Sequence, residues 1–290
     1  MQKDQIPFWA GLISLAVLGV IAVAVVTRWG VGLFDLDSFN YLASARSLAV
    51  GNGLQVPVSP TSLRPMLYFA PLLPAVLSVF ELAGVDAMDG ARWFNAALFG
   101  VNLLLFSAIA YGFSRSKVIA LAAAFLFLFS ADLLVAHSWA LSEPLLITFM
   151  LASLLAFHIW VKRREFVWVL VLWVCVALAV LTKFVAGALV PVFVLLFWST
   201  NLSRRDKLVY SMGTLLSGLI PFLFWSLRSY LLSASFHGFS FGYVPLGRGN
   251  LISAFLHSLR GLFPKAGYSG AKRYFLFWPF CGPPARGFIW

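Results

Sequence analysis

Acidic side chains are scarce in this chain, ten Asp and Glu against 21 Lys and Arg in 290 residues. Charged residues of both signs reach only 11%, well below the roughly one quarter of a soluble domain, while 61% are hydrophobic. That shortage excludes an ordinary soluble fold. Cysteine is nearly missing as well. Cys175 lies inside an apolar run and Cys281 close to the last residue, so neither a disulfide framework nor a cysteine metal site is available. Internal repeats are also lacking, and with them the usual mark of a transporter built from related halves.

What the chain has instead is long apolar runs. Residues Phe8 to Val26 carry no charge and approach the ~20 residues that cross ~30 Å of hydrocarbon. The small-residue trio Ala22-Val23-Ala24 lies within this run and not after it, so the segment reads as a retained anchor. Further apolar runs cover Ala91 to Gly112, Val118 to Leu134, Glu143 to Trp160 and Leu208 to Leu231. The stretch from Phe166 past Trp198 is too long for one helix and is interrupted at Thr182-Lys183, which predicts two spans joined by a tight turn. The expectation is an all-α integral membrane protein of about seven transmembrane helices.

The net charge of +11 invites a nucleic-acid partner, but its distribution speaks against one. Arg115/Lys117, Lys162-Arg163-Arg164 and Arg204-Arg205/Lys207 each flank an apolar run, as short cytoplasmic loops do. With Lys3 and the N-terminus cytoplasmic, residues 28–90 become a long first outer loop containing short juxtamembrane helices. The membrane domain then covers residues 1–232. Residues 233–290 form a basic segment with six Lys and Arg and no acid. Within that segment Leu251 to Phe263 resembles an eighth span, made unfavourable by His257 and Arg260 at a cost of a few kcal/mol. The segment stays unassigned, and its end at Trp290 suggests a truncated chain.

On this topology Asp35, Asp37, Arg64, His137, Glu143, Lys183 and Arg228 all come to the outer membrane surface. Charges of both signs drawn from separate segments suggest a cavity with paired groups, suited to a charged lipid headgroup. Each also has a plainer reading. Asp37 precedes the short stretch Ser38 to Val50 and reads as its N-cap, a role compatible with catalysis because a cap fixes the carboxylate. Asp35 is either a solvated loop acid or a helper to it. Arg64, before the Pro71/Pro74 segment, either snorkels to phospholipid headgroups or contacts a substrate. Glu143, in Ser142-Glu143-Pro144, sits where Ser142 is able to cap and Glu and Pro favour a first helical turn. His137 is close enough in sequence to join it in a polar cluster. Lys183, embedded among apolar neighbours, requires an anion. Arg228 is an interfacial anchor or a bidentate phosphate ligand.

Several short motifs then fall into a familiar order. Asp37-Ser38-Phe39-Asn40-Tyr41-Leu42, Arg64-Pro65 with Pro71-Leu72-Leu73-Pro74, Ser142-Glu143-Pro144-Leu145, Leu181-Thr182-Lys183 and Leu227-Arg228-Ser229-Tyr230 together resemble bacterial membrane glycosyltransferases of the C-type fold. The similarity is to the group of protein O-mannosyltransferases, aminoarabinose transferases and lipopolysaccharide-sugar transferases, families 39 and 83, and extends to about residue 250. The resemblance implies a multi-pass enzyme of the bacterial inner membrane. Such enzymes move a sugar from a polyprenyl-phosphate donor to a lipid, glycan or protein acceptor on the outer face. Carried onto this chain, Asp37 is the base, Asp35 its helper, and Arg64, Lys183 and Arg228 hold the phosphate, with Glu143 and His137 nearby. No nucleotide cofactor is implied. A divalent metal at Asp35 and Asp37 is left open, since some C-type enzymes need none. Two departures stand out: several branches carry Asp-Glu where this chain has Asp37-Ser38, and full-length members continue through further spans. A transporter or flippase of lipid-linked substrates, or an inactive fragment, is the competing expectation.

Overall fold

The computed structural model describes residues 6–59 and 62–233. Ten α-helices and one hairpin are found there. Helix α1 covers Ile6–Val26, and the loop after it carries α2 (Asp35–Ala49), the antiparallel strands β1 (Gln55–Ser59) and β2 (Ser62–Pro65), and α3 (Leu72–Leu82). Then follow α4 (Ala87–Ser114), α5 (Lys117–Leu128), α6 (Ala131–His137), α7 (Glu143–Arg163) and α8 (Phe166–Thr182). A 3-10 turn at Phe184–Ala188 leads into α9 (Leu189–Trp198), and α10 (Arg204–Ser233) closes the described chain.

The seven apolar runs of the sequence are all helical, yet they are unequal as spans. Four, α1, α4, α7 and α10, are long and apolar enough to cross a membrane singly; α5 and α6 make a fifth only as a pair bent by 61°. Helix α8 has 17 residues, ~25 Å at 1.5 Å per residue, and stops at Lys183. The 3-10 turn and α9 after it are shorter still. Of the about seven expected spans, four or five are thus long and apolar enough to cross singly or as a bent pair, and α8 and α9 are shorter apolar helices on either side of the break at Lys183 that the sequence predicts. The eighth span at Leu251 to Phe263 and, apart from Ser233 at the end of α10, the segment 233–290 lie outside the described residues. The protein is an all-α, multi-pass membrane protein.

The helices pack as a row in which α1 meets α4, α4 meets α7, α7 meets α8, and α8 meets α10. Small residues allow the close approaches that membrane packing requires, where no difference in apolarity separates helix from lipid. A Cβ on Gly19 would stand 2.6 Å from the Phe99 ring, and one on Gly100 would stand 2.9 Å from Val20. The helix ends are capped by ordinary chemistry. Asp86 accepts from the Met88 amide at 2.9 Å to start α4, while Arg115 and Arg164 take left-handed backbone, φ 57°, just past α4 and α7.

The loop elements are part of the core. Tyr41, Leu42 and Ala45 of α2 are buried with Leu73 and Leu77 of α3 and Ala87 and Ala91 of α4. Arg46 strengthens this junction by pairing with Asp86 at 2.7 Å and Glu81 at 3.4 Å. Helix α2 opens earlier than its sequence suggests. Phe34 occupies the N-cap, and its amide donates to Ser38 Oγ at 2.8 Å. Asp37 is therefore not the cap; it sits in the first turn, where a carboxylate still gains from the helix dipole.

Candidate active site

Two loops meet at the α7 N-terminus. The Gly32 amide donates to the Ser138 carbonyl and the Ala140 amide to the Gly32 carbonyl, both at 2.8 Å. Gly32 is required there, since a Cβ would stand 2.9 Å from the Trp139 ring. Asn95 on α4 donates to the Trp139 carbonyl at 2.7 Å. Below, Asn102 donates to the Pro144 carbonyl at 3.0 Å and approaches His137 Nε2 at 3.0 Å. His137 Nδ1 lies 2.7 Å from the Leu133 carbonyl, which only accepts, so the proton belongs on Nδ1 and Nε2 accepts from Asn102. These bonds fix the start of α7 from beneath.

On that platform Glu143 meets Lys183, Nζ to Oε1 at 2.5 Å, with both side chains 35% exposed. The anion that the sequence demanded for Lys183 is a residue 40 positions away. The other oxygen, Oε2, is buried and has no hydrogen-bond partner among the described residues. Lys183 can reach Glu143 because its backbone is extended, φ −158° and ψ 126°, which ends α8 and turns the chain.

The first-loop carboxylate joins from α2. Asp37 and Tyr41 are four residues apart and share a helix face. Tyr41 is buried, and its hydroxyl donates to Ser142 Oγ at 3.2 Å, so Ser142 serves that bond and makes no capping bond of its own. Burial pushes the Tyr41 hydroxyl up to about 12; the Ser142 bond opposes this, and the Asp37 and Glu143 carboxylates each add to it. One buried phenol therefore feels both carboxylates and stays a protonated donor at any physiological pH. Tyr41 was not among the sequence candidates, although its spacing from Asp37 was the available signal.

The remaining candidates are placed differently. Arg64, on β2, is exposed, and its side chain has no hydrogen-bond or ion-pair partner among the described residues. Arg228 lies over the Trp225 ring at 4.3 Å and donates to the Met66 carbonyl at 3.0 Å. His137 differs from its expected surface position: it is fully buried, edge-on to Phe99, and supports the α7 start rather than lining the cluster. Asp35 is the first residue of α2. Among the described residues no group of three or more His, Cys, Asp and Glu converges to hold a metal.

Beside Lys183 an apolar groove begins. Val180, Phe184, Gly187, Val190, Pro191, Leu215, Gly218, Leu219 and Phe222 line a hollow of about 320 Å³. A second of about 440 Å³ shares Val190, Pro191 and Leu215 with it and continues to Leu208 and Met212, near the opposite end of α10. A Cβ on Gly187 would meet nothing within 4 Å.

The chain thus sets a Glu143–Lys183 ion pair, with the Tyr41 hydroxyl under the influence of both Glu143 and Asp37, beside an apolar groove along a membrane helix. No curated protein and no solved structure matches it. A family model does, over residues 78–237, a stretch holding Glu143, Lys183 and Arg228 and starting within α3, after Asp37 and Arg64. That stretch is more than half of the chain, and by it the chain belongs to the dolichyl-phosphate-mannose-protein mannosyltransferase family, membrane glycosyltransferases that draw on a lipid-linked sugar donor.

Proposed function

We propose that the protein transfers a sugar from a polyprenyl-phosphate donor to a hydroxyl of a lipid, glycan or protein acceptor. The proposed place is the outer face of a bacterial inner membrane, with the N-terminus cytoplasmic. The observation that carries this reading is the Glu143–Lys183 ion pair next to an apolar groove that starts at Phe184, with the buried Tyr41 hydroxyl under the influence of both Glu143 and Asp37. A phosphate with a long hydrocarbon tail has matching needs: a cation for its head and an apolar channel for its chain.

Asp37 takes the proton of the acceptor hydroxyl as that oxygen attacks the anomeric carbon. The bond from that carbon to the phosphate oxygen breaks, and its electron pair leaves with the polyprenyl phosphate. Lys183 and Arg64 face the growing charge, a task fixed cations perform well where water is scarce. Asp35, at the head of the same helix, assists Asp37. Glu143 holds Lys183 with one oxygen and offers the other to a sugar hydroxyl, which would satisfy its buried Oε2. The isoprenoid tail follows the groove from Phe184 along α10. No step passes through a metal at Asp35 and Asp37.

The test is transfer of radiolabelled sugar from polyprenyl-phosphate donors to membrane acceptors by purified protein. Asp37→Asn should abolish transfer while leaving thermal unfolding in place. Full activity in that variant would sink the assignment of the base.

A further inference from the structure

The two arginines that the sequence offers to a phosphate are in opposite circumstances. The Arg64 side chain has no hydrogen-bond or ion-pair partner among the described residues. The Arg228 guanidinium is already engaged: Nη1 donates to the Met66 carbonyl at 3.0 Å, Nη2 reaches the Leu54 carbonyl at 3.5 Å, and Trp225 lies against its face. Leu54 and Met66 are the residues just outside the two strands, and the Met66 amide donates to the Leu54 carbonyl at 2.9 Å. One side chain on α10 therefore grips both legs of the hairpin at its base.

The hairpin register gives this grip a use. Val56 pairs with Arg64, so the two side chains leave the same face of the two-stranded sheet. Val56 is 3% exposed and is buried with Met66 and Trp225, with Phe184, the neighbour of Lys183, packed against them. Arg64 thus stands on the face turned toward α10 and the Lys183 corner. Helix α2 adds a second hold, Ser44 donating to the Gln55 carbonyl at 3.2 Å, but among the described residues only Arg228 ties the hairpin to α10 by a charged group.

We infer that Arg228 is a positioning residue, holding the hairpin on α10 so that Arg64 meets the donor phosphate. The inference rests on the reading of Arg64 given above and removes Arg228 from the set of direct phosphate ligands. Its fork matters more than its charge, because two carbonyls at different points must be reached at once, which a lysine ammonium cannot do in the same geometry. A direct phosphate ligand would behave otherwise, since a point charge serves a phosphate well.

The experiment measures binding of farnesyl phosphate to the purified full chain, together with amide hydrogen exchange of the hairpin. Arg228→Lys and Arg228→Ala should each weaken binding about tenfold, as Arg64→Ala does, the size of one charge-assisted contact. The double variant Arg64→Ala/Arg228→Ala should bind no worse than Arg64→Ala alone, since one residue acts through the other. Hairpin exchange should quicken in both Arg228 variants and not in Arg64→Ala. Wild-type binding by Arg228→Lys, or a further tenfold loss in the double variant, would make Arg228 a direct ligand and overturn the inference. Unchanged hairpin exchange would overturn it too, and Arg228→Lys keeps this readable where the alanine variant does not fold. If the wild type binds no farnesyl phosphate, the donor reading falls and the positioning role with it, and hairpin exchange then reports the grip alone.

Discussion

The two ends of the helix row handle charge in different ways. At one end, Arg115 and Arg164 sit just past their own helices, Lys162 donates to the Gly112 carbonyl at 2.9 Å, and Lys207 donates to the Trp198 carbonyl at 2.9 Å. These cations meet helix C-termini, where carbonyls are left unsatisfied and the dipole favours positive charge. At the other end, Lys183 finds Glu143 across 40 residues and Arg228 finds Met66 across 162. Charge at the first end follows helix boundaries; at the second it is assembled by the tertiary fold. The comparison teaches where substitution should reach chemistry and where it should reach only a helix terminus.

Breaking the assembled end should give the largest effect. Lys183→Ala leaves Glu143 half-buried without its cation and removes the charge opposite the leaving phosphate, so transfer should fall by two orders of magnitude or more, on the order of an oxyanion donor's loss. Glu143→Gln should separate the pair's two roles. It frees Lys183 for phosphate and should lower the donor KM while lowering kcat, a split that steady-state kinetics will read. If the donor KM rises instead, Glu143 orients Lys183 and does not compete for it.

A middle-sized effect is expected along the groove. Gly187→Leu places a side chain in open space, so it should fold normally and fill the channel beside Phe184. Each methylene that loses its contact is worth about 0.8 kcal/mol, so long-chain donors should lose about tenfold in KM and short-chain ones little. Equal losses at every chain length would move the tail elsewhere.

The smallest effect belongs to the far end. Arg164→Gly removes a cation from a helix terminus, yet supplies the residue that left-handed backbone prefers. Stability should shift by less than ~1 kcal/mol and transfer should not change, as thermal unfolding and the sugar-transfer assay will read. A large loss of transfer would mean that the two ends are not separate in function.

Much of the fold was legible from apolar runs, because a membrane helix needs only length and apolarity, and each run did become helical. Their lengths were less so. Lys183 stops α8 short, and the break after Leu128 bends a segment that hydropathy reads as continuous. The need of Lys183 for an anion was legible, since a buried cation is costly wherever it lies. The partner was not, because nothing local links positions 143 and 183. His137 misled for the opposite reason: its nearness to Glu143 in sequence suggested a shared surface, whereas helix α6 turns it inward to Asn102. Asp37 kept its place in the first turn and lost only its role as cap, for Phe34 and Ser38 start that helix instead.

The bonds between Gly32 and the 138–140 segment bear on how this chain can vary. Surface loops ordinarily tolerate changes in length better than any other part of a protein. Here Gly32 stands five residues before Asp37, and Ala140 three before Glu143, so both carboxylates hang from one splice by short leashes. An added residue on either leash would slide one acid past the other while leaving every membrane helix intact. Relatives that keep this splice should therefore show fixed spacing on both sides of it, and two connecting segments become the least elastic stretches of the molecule.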